Sequence, residues 1–202
     1  MNRYPPAVFG GDSDSPLQMP QVCGAVAFGE WAAAFQHIEA GVSALLHLAD
    51  SPLWRVREAA AMGLQRLLAR QWDSTIRRLQ RRALDASPYE WRAIVAGIAE
   101  PDLLSTTARA LAAFDLHYGA LAYLRRVSAE ARRSDAVRTL RQALGYSVSV
   151  VTMAAPEAGF ALMRAWAAWN DADIRWILRE NLKKKRLERW PDDMTALKEL
   201  ID

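Results

Sequence analysis

Apolar residues recur at every third or fourth position along most of the chain, which is the spacing of an amphipathic helix. The first such run extends from Trp31 to Leu46 and predicts one helix that ends near Asp50. The stretch from Tyr146 to Thr152 is rich in β-branched residues, as strands are. Because its surroundings are helical, we interpret it as part of a buried helix. The pattern predicts an all-α protein of about ten helices.

Prolines and short polar residues mark where several of these helices begin. A Ser or Asp followed by Pro occurs at Asp50-Ser51-Pro52 and again at Ser87-Pro88, where the side-chain oxygen can cap free helix amides. The same reasoning predicts a helix pair after Pro101 that breaks between Asp115 and Gly119. The remaining predicted helices are 71–84, 137–153, 156–169, 173–187 and a short terminal helix from Pro191.

The first 27 residues differ in composition from the rest of the chain. Pro5, Pro6, Pro16 and Pro20 stand among Asp, Ser and a Gly-Gly pair, which is the composition of a linker or tail. We predict a flexible N-terminal tail over residues 1–27, with no regular structure before about Phe28. Residues 28–202 are then expected to form a single domain.

An apolar residue followed by arginine recurs at Val56-Arg57, Trp91-Arg92, Val137-Arg138 and Ile174-Arg175, about 35 to 46 residues apart. This is the range of helical repeats, in which each helix pair packs against the next. The apolar member is expected to pack inward and the arginine to bond an acceptor at a turn between helices. The candidate acceptors are Asp50, Asp85, Asp135 and Asp171. The alternative is that these arginines contact a ligand.

Two segments, LWRVREAAAMGLQRLL (53–68) and DADIRWILRENLKKKRL (171–187), resemble HEAT repeats of the ARM-type fold. The resemblance covers residues 30–190 and implies a right-handed superhelix, an α-solenoid of about five antiparallel helix pairs. Trp72-Asp73-Ser74 is similar to the Trp-Trp-Asp-(Ser/Thr)-Val-Asp stretch of the HEAT-like bacterial DNA alkylation repair glycosylases. In this alignment the position of the catalytic Asp is Ile76. The resemblance therefore implies a relative without that chemistry, with Asp73 as the weak alternative carboxylate.

Charge and aromatic content point to binding. Residues 1–50 hold one arginine and five acidic residues, whereas the rest of the chain has a basic excess. A basic helical array suits an anionic partner. We predict a scaffold that holds a protein or nucleic acid on its concave face; a DNA-alkylation-repair-like glycosylase or lesion binder is the alternative, and a self-association surface is a third possibility. The candidate binding residues are Trp91, Arg138, Arg141, Arg175, Trp176, Arg179 and Lys183. The opposing interpretation is that the tryptophans belong to the core and the cations are simply hydrated.

Other chemistry finds little support in the sequence. His37, His47 and His117 lack the spacing of zinc ligands, and no nucleophile elbow or phosphate-binding glycine loop occurs. The acidic pairs Asp171/Asp173 and Asp192/Asp193 lie at predicted helix starts, where capping explains them. We expect no metal and no cofactor. With a single cysteine and no long apolar run, we expect a cytoplasmic protein without a membrane span.

Overall fold

The computed structural model describes residues 18–201, and this part of the chain is all-helical, without strands. Four short 3-10 turns connect some of the helices. The predicted all-α class and the predicted number of helices are confirmed for the described residues. The ten α-helices are α1 (Met19–Ala34), α2 (Ile38–Ala49), α3 (Trp54–Arg70), α4 (Trp72–Arg82), α5 (Pro88–Ile98), α6 (Thr107–Arg126), α7 (Asp135–Ala154), α8 (Pro156–Ala167), α9 (Ala172–Leu182) and α10 (Pro191–Ile201).

Odd-numbered and even-numbered helices differ in the helices against which they pack. Each odd-numbered helix packs extensively against the next odd-numbered helix, in the order α1, α3, α5, α7, α9. The even-numbered helices pack against the odd-numbered ones that precede or follow them, and α4 also packs against α2 and α10 against α8. One continuous hydrophobic core results, from Ala25 in α1 to Ile201 in α10. We call the exposed side of α3, α5, α7 and α9 that lies away from the even-numbered helices the odd-helix face.

The N-terminal boundary differs from the prediction. Helix α1 begins at Met19 and not near Phe28, since Pro20 fits within the first helical turn, where its missing N–H costs nothing. The first seventeen residues of the predicted tail lie outside the described residues. The predicted single helix from Trp31 to Asp50 is also wrong, because Gln36 has a φ of 58° and ends α1 before α2 starts at Ile38. That left-handed conformation is incompatible with a continuous helix.

Helix α6 is continuous, so the predicted break between Asp115 and Gly119 is wrong. Gly119 lies inside α6 and faces the indole of Trp91, where an added Cβ would stand 2.7 Å from Trp91 Cη2. The glycine therefore makes room for a tryptophan and does not end a helix. Leu84 is the last residue of the predicted helix 71–84, but it is exposed because α4 ends at Arg82.

The predicted caps are confirmed at two helix starts. Ser87 Oγ accepts a hydrogen bond from Glu90 N at 3.1 Å, and Ser87 N donates to Glu90 Oε2 at 2.9 Å, a complete capping box. Asp171 accepts from two amides at the start of α9. At α3 the prediction is wrong, because the helix begins at Trp54 and Ser51 Oγ accepts from Leu53 N in the preceding turn.

The β-branched segment of α7 is a buried helix, as predicted. Its polar side chains and backbone find partners on neighbouring helices. Asn181 of α9 accepts from Ser149 N at 2.7 Å and donates to Leu144 O at 2.8 Å, so its amide joins α9 to the middle of α7. His117 of α6 lies 2.9 Å from Ser147 Oγ. These bonds satisfy groups that burial would otherwise leave without water.

Candidate functional site on the odd-helix face

The four apolar-arginine couplets divide as predicted into buried and polar members. Val56, Trp91, Val137 and Ile174 are all buried. Arg57 Nη1 donates to Ser51 O at 2.8 Å and to Pro52 O at 3.1 Å, and its guanidinium lies 4.5 Å from the centre of the Tyr89 ring. Arg92 donates to Arg57 O and to Glu58, which ties α5 to α3. These two arginines join successive turns and helices.

The predicted arginine-aspartate pairing is wrong for three of the four couplets. Arg57 and Arg92 bond the groups given above, and Arg175 bonds Asn170 Oδ1 at 2.6 Å. Only Arg138 approaches its predicted acceptor, at 4.0 Å from Asp135 Oδ1 within its own helix. The turn aspartates reach other partners instead.

Three of those aspartates link segments that are far apart in sequence. Asp50 accepts from Ser87 Oγ at 2.7 Å, and Asp135 accepts from the Tyr89 hydroxyl at 2.8 Å. Asp171 accepts from Arg132 Nη2 at 2.8 Å. Burial and the hydrogen bond to Asp135 both raise the pKa of Tyr89, so the phenol keeps its proton. These three aspartates therefore join distant segments, but their donors are not the arginines of the couplets.

A cluster of two arginines and two aspartates joins the turn before α7, α7 itself and the start of α9. Arg132 bonds Asp171 and also Asp173 Oδ2 at 2.9 Å, while Arg141 Nη1 bonds Asp173 Oδ1 at 2.6 Å. Burial raises the pKa of Asp171, but the bonds from Arg132 and from two backbone amides outweigh it and lower that pKa overall. The cluster is balanced in charge and holds Arg141 in place.

The sequence-predicted binding residues occupy three kinds of environment. Trp91 is only 4% exposed and belongs to the core, which leaves its ring little surface for a partner. Trp176 is partly buried beneath Arg141, whose guanidinium lies 4.5 Å from the ring centre. Arg179 donates to Ile201 O, and Lys183 pairs with Glu180 at 2.5 Å. Arg138 is more exposed than Arg141, with 59% of its side chain accessible against 33%.

A groove of about 250 Å³ crosses α3, α5 and α7 on the odd-helix face. Its walls carry Glu58, Arg92 and Tyr146, and small residues such as Ala96 and Ala143 line it as well. Tyr146 is 48% exposed, and the guanidinium of Arg186 lies 4.7 Å from its ring centre. Sequence reasoning missed Tyr146 because it lies in the β-branched segment. Its spacing of four from Gln142 and eight from Arg138 could have revealed the shared face.

A second groove runs between α4 and α6, on the other side of α5. One end, about 380 Å³, is lined by Trp72, Asp73, Ile76 and Arg109, and the Arg109 guanidinium lies 4.8 Å from the centre of the Trp72 ring. The other end, about 360 Å³, contains Leu84 and Tyr118. Asp73 is exposed in the first turn of α4, and Ile76 is buried. General acid-base catalysis needs a desolvated carboxylate, and neither the exposed Asp73 nor the buried Ile76 provides one at this end of the groove.

Neither metal ligation nor membrane crossing is indicated within residues 18–201. No three His, Cys, Asp or Glu side chains group there as metal ligands would. None of the helices in this range combines the length and the hydrophobicity that a bilayer crossing requires.

Comparison with known proteins gives no relative. No protein-family model matches the chain, and no curated protein or solved structure is significantly similar to it.

Proposed function

We propose that this chain is a non-enzymatic binding scaffold of HEAT-like helix pairs, which holds a protein or nucleic-acid partner on the odd-helix face. In this proposal the closely packed odd-numbered helices line the concave side of a right-handed superhelix. Successive packing of α1, α3, α5, α7 and α9 supports the repeat, because each helix shares its core with the next one in the series. The bonds between turns hold the series together.

The observation that carries the proposal is the exposed cationic rim of the odd-helix face. Arg138 is largely exposed on α7, and Lys185 is exposed in the turn that follows α9, whereas Lys183 lines a pocket against α10. The groove between α3 and α7 adds small residues on which a partner can lie closely. Fixed cations next to an open groove suit an anionic partner and speed its association.

A titration with labelled polyanions tests this function. We expect fluorescence anisotropy to detect binding of at least one of three probes: an oligothymidylate, a DNA duplex or a poly-glutamate peptide. Raising the salt from about 50 to 200 mM should weaken that binding at least tenfold, because counterions are released on association. If none of the three probes binds at the low salt concentration, the proposed function is wrong.

The alternative, a DNA-alkylation-repair-like glycosylase or lesion binder, is favoured by one observation. Trp72, Asp73 and Arg109 line the same groove, and the flat face of the Arg109 guanidinium, which covers the Trp72 ring, can stack on a base. An alkylated duplex distinguishes the two alternatives. Release of the alkylated base would establish the enzyme, and tighter binding of the alkylated than of the plain duplex without release would establish the lesion binder.

A further inference from the structure

Tyr146 and Arg186 form an exposed stack on the odd-helix face. Tyr146 is on the outward side of α7, and the Arg186 guanidinium comes from the 3-10 turn that follows α9, at 4.7 Å from the ring centre. About half of the tyrosine remains accessible. The Arg186 guanidinium covers one face of the Tyr146 ring. The other face of the ring and the outer face of the guanidinium are two flat surfaces on which another planar group can stack.

A second stack of the same kind joins α7 to α9. Arg141 is five residues before Tyr146 in α7, about 7.5 Å along the helix axis and about 140° around it, on the side that contacts α9. Its guanidinium covers Trp176, and its bond to Asp173 at 2.6 Å fixes it there. A guanidinium that is hydrogen-bonded to a carboxylate along one edge, as in Arg141, can still expose the flat face that points away from Trp176. Helix α7 therefore carries two planar platforms, one on Arg141 and one on Tyr146.

Charges around the platforms are mostly positive. Arg138 shares the α7 side with Tyr146, and Lys183, Lys184 and Lys185 precede Arg186 in the chain. Of the acids near these elements, Glu180 pairs with Lys183 and Asp135 accepts from Tyr89. Glu188 is exposed two residues after Arg186, and Glu100 lines the groove beside Tyr146. Arg138 and Lys185, which are both exposed, can contact a chain of phosphates.

We infer that the Tyr146–Arg186 and Arg141–Trp176 stacks bind unpaired bases of a single-stranded nucleic acid, whose phosphates lie along the neighbouring cations. This inference rests on the proposed function and names its partner. Unpaired bases expose the flat faces that aromatic rings and guanidinium planes contact, whereas a duplex keeps them inside its own stack. An acidic peptide would match the charge but would make no use of the planar groups.

The test compares the three polyanion probes on the full chain and on matched tyrosine variants. We expect the oligothymidylate to bind at least tenfold more tightly than the duplex or poly-glutamate. Tyr146→Ala should weaken that binding about tenfold, within the range of losing one stacked base, and Tyr146→Phe should keep it. Tyr118→Ala is the control, because Tyr118 is 52% exposed in the α4–α6 groove. It should leave the affinity unchanged.

Several outcomes would overturn this inference. Duplex binding as tight as single-strand binding would do so, as would an unchanged affinity of Tyr146→Ala. If only poly-glutamate binds, the scaffold function stands and the single-strand inference is wrong; if nothing binds, both are wrong. Thermal unfolding followed by circular dichroism checks that each variant folds. If Tyr146→Ala does not fold, Arg186→Gln takes its place, with the same tenfold loss expected and an unchanged affinity counting against the inference.

Discussion

Replacing Gly29 with alanine is expected to destabilise the fold by about 3 kcal/mol or more, since overpacking against backbone leaves no flexible side chain to move. Helices α1 and α3 cross at Gly29 and Gly63. An added Cβ at Gly29 would lie 2.3 Å from the Gly63 carbonyl oxygen and 2.7 Å from its Cα. The two helices would have to separate, and the core between them would open. Urea unfolding followed by circular dichroism measures the change.

Gly24→Ala is the matched control within the same helix. Gly24 has no heavy atom within 4 Å of an added Cβ. Alanine there should stabilise the protein by about 0.5 to 1 kcal/mol, because it removes the conformational freedom of glycine. Equal effects of the two substitutions, or a Gly29→Ala variant as stable as the original, would show that α1 and α3 do not cross closely at this point.

Acidification is expected to cost the fold about 2 kcal/mol between pH 7 and pH 5 through one residue, His117. Burial lowers the pKa of this histidine to about 4, although its hydrogen bond to Ala113 O opposes the shift. Its Nδ1 lies 2.8 Å from Ala113 O and donates to it, so Nε2 accepts from the Ser147 hydroxyl. The ring is neutral in the folded protein.

The sign follows from where the proton binds. Below about pH 6.5 the unfolded chain protonates this histidine while the folded protein does not until about pH 4, so stability falls as the pH falls. The lowered pKa of Asp171 adds a further loss only at more acidic pH, as its carboxylate is protonated.

Urea unfolding at several pH values tests the role of His117. His117→Gln is expected to be less stable at pH 7 but to lose most of the pH dependence between pH 7 and pH 5. His47→Gln is the control, because His47 is exposed on α2. If both variants keep the pH dependence of the original protein, the buried histidine is not its cause.

The fold was predictable where local signals and tertiary packing agree. Helical periodicity and the Ser87 and Asp171 caps gave the correct class and several correct helix starts. The predicted helix boundaries were wrong where tertiary packing, and not the local sequence, determines what a residue does. Glycine is common where helices end, but Gly119 lies inside α6 and makes room for the Trp91 ring. The left-handed conformation of Gln36 is not indicated by any pattern in the sequence.

The candidate site was predictable only in part. The burial of Val56, Val137 and Ile174 was predictable from the couplets, because the apolar member of each couplet is expected on the inward side of its helix. The acceptor that a long arginine reaches depends on the path of the neighbouring turns, which periodicity does not encode. Arg175 therefore bonds Asn170 and not Asp171, although the two are adjacent in the sequence.

The central claim is that the odd-helix face, and not the α4–α6 groove, holds an anionic partner. Two double charge reversals on the full chain test it with the best-binding polyanion. Arg138→Glu with Lys185→Glu changes the odd-helix face, whereas Arg77→Glu with Arg81→Glu makes the same change in charge on exposed residues of α4. We predict at least a tenfold loss of affinity for the first pair, and a much smaller loss for the second, in anisotropy titrations at low salt. A larger loss for the α4 pair, or equal losses for the two pairs, would contradict the account.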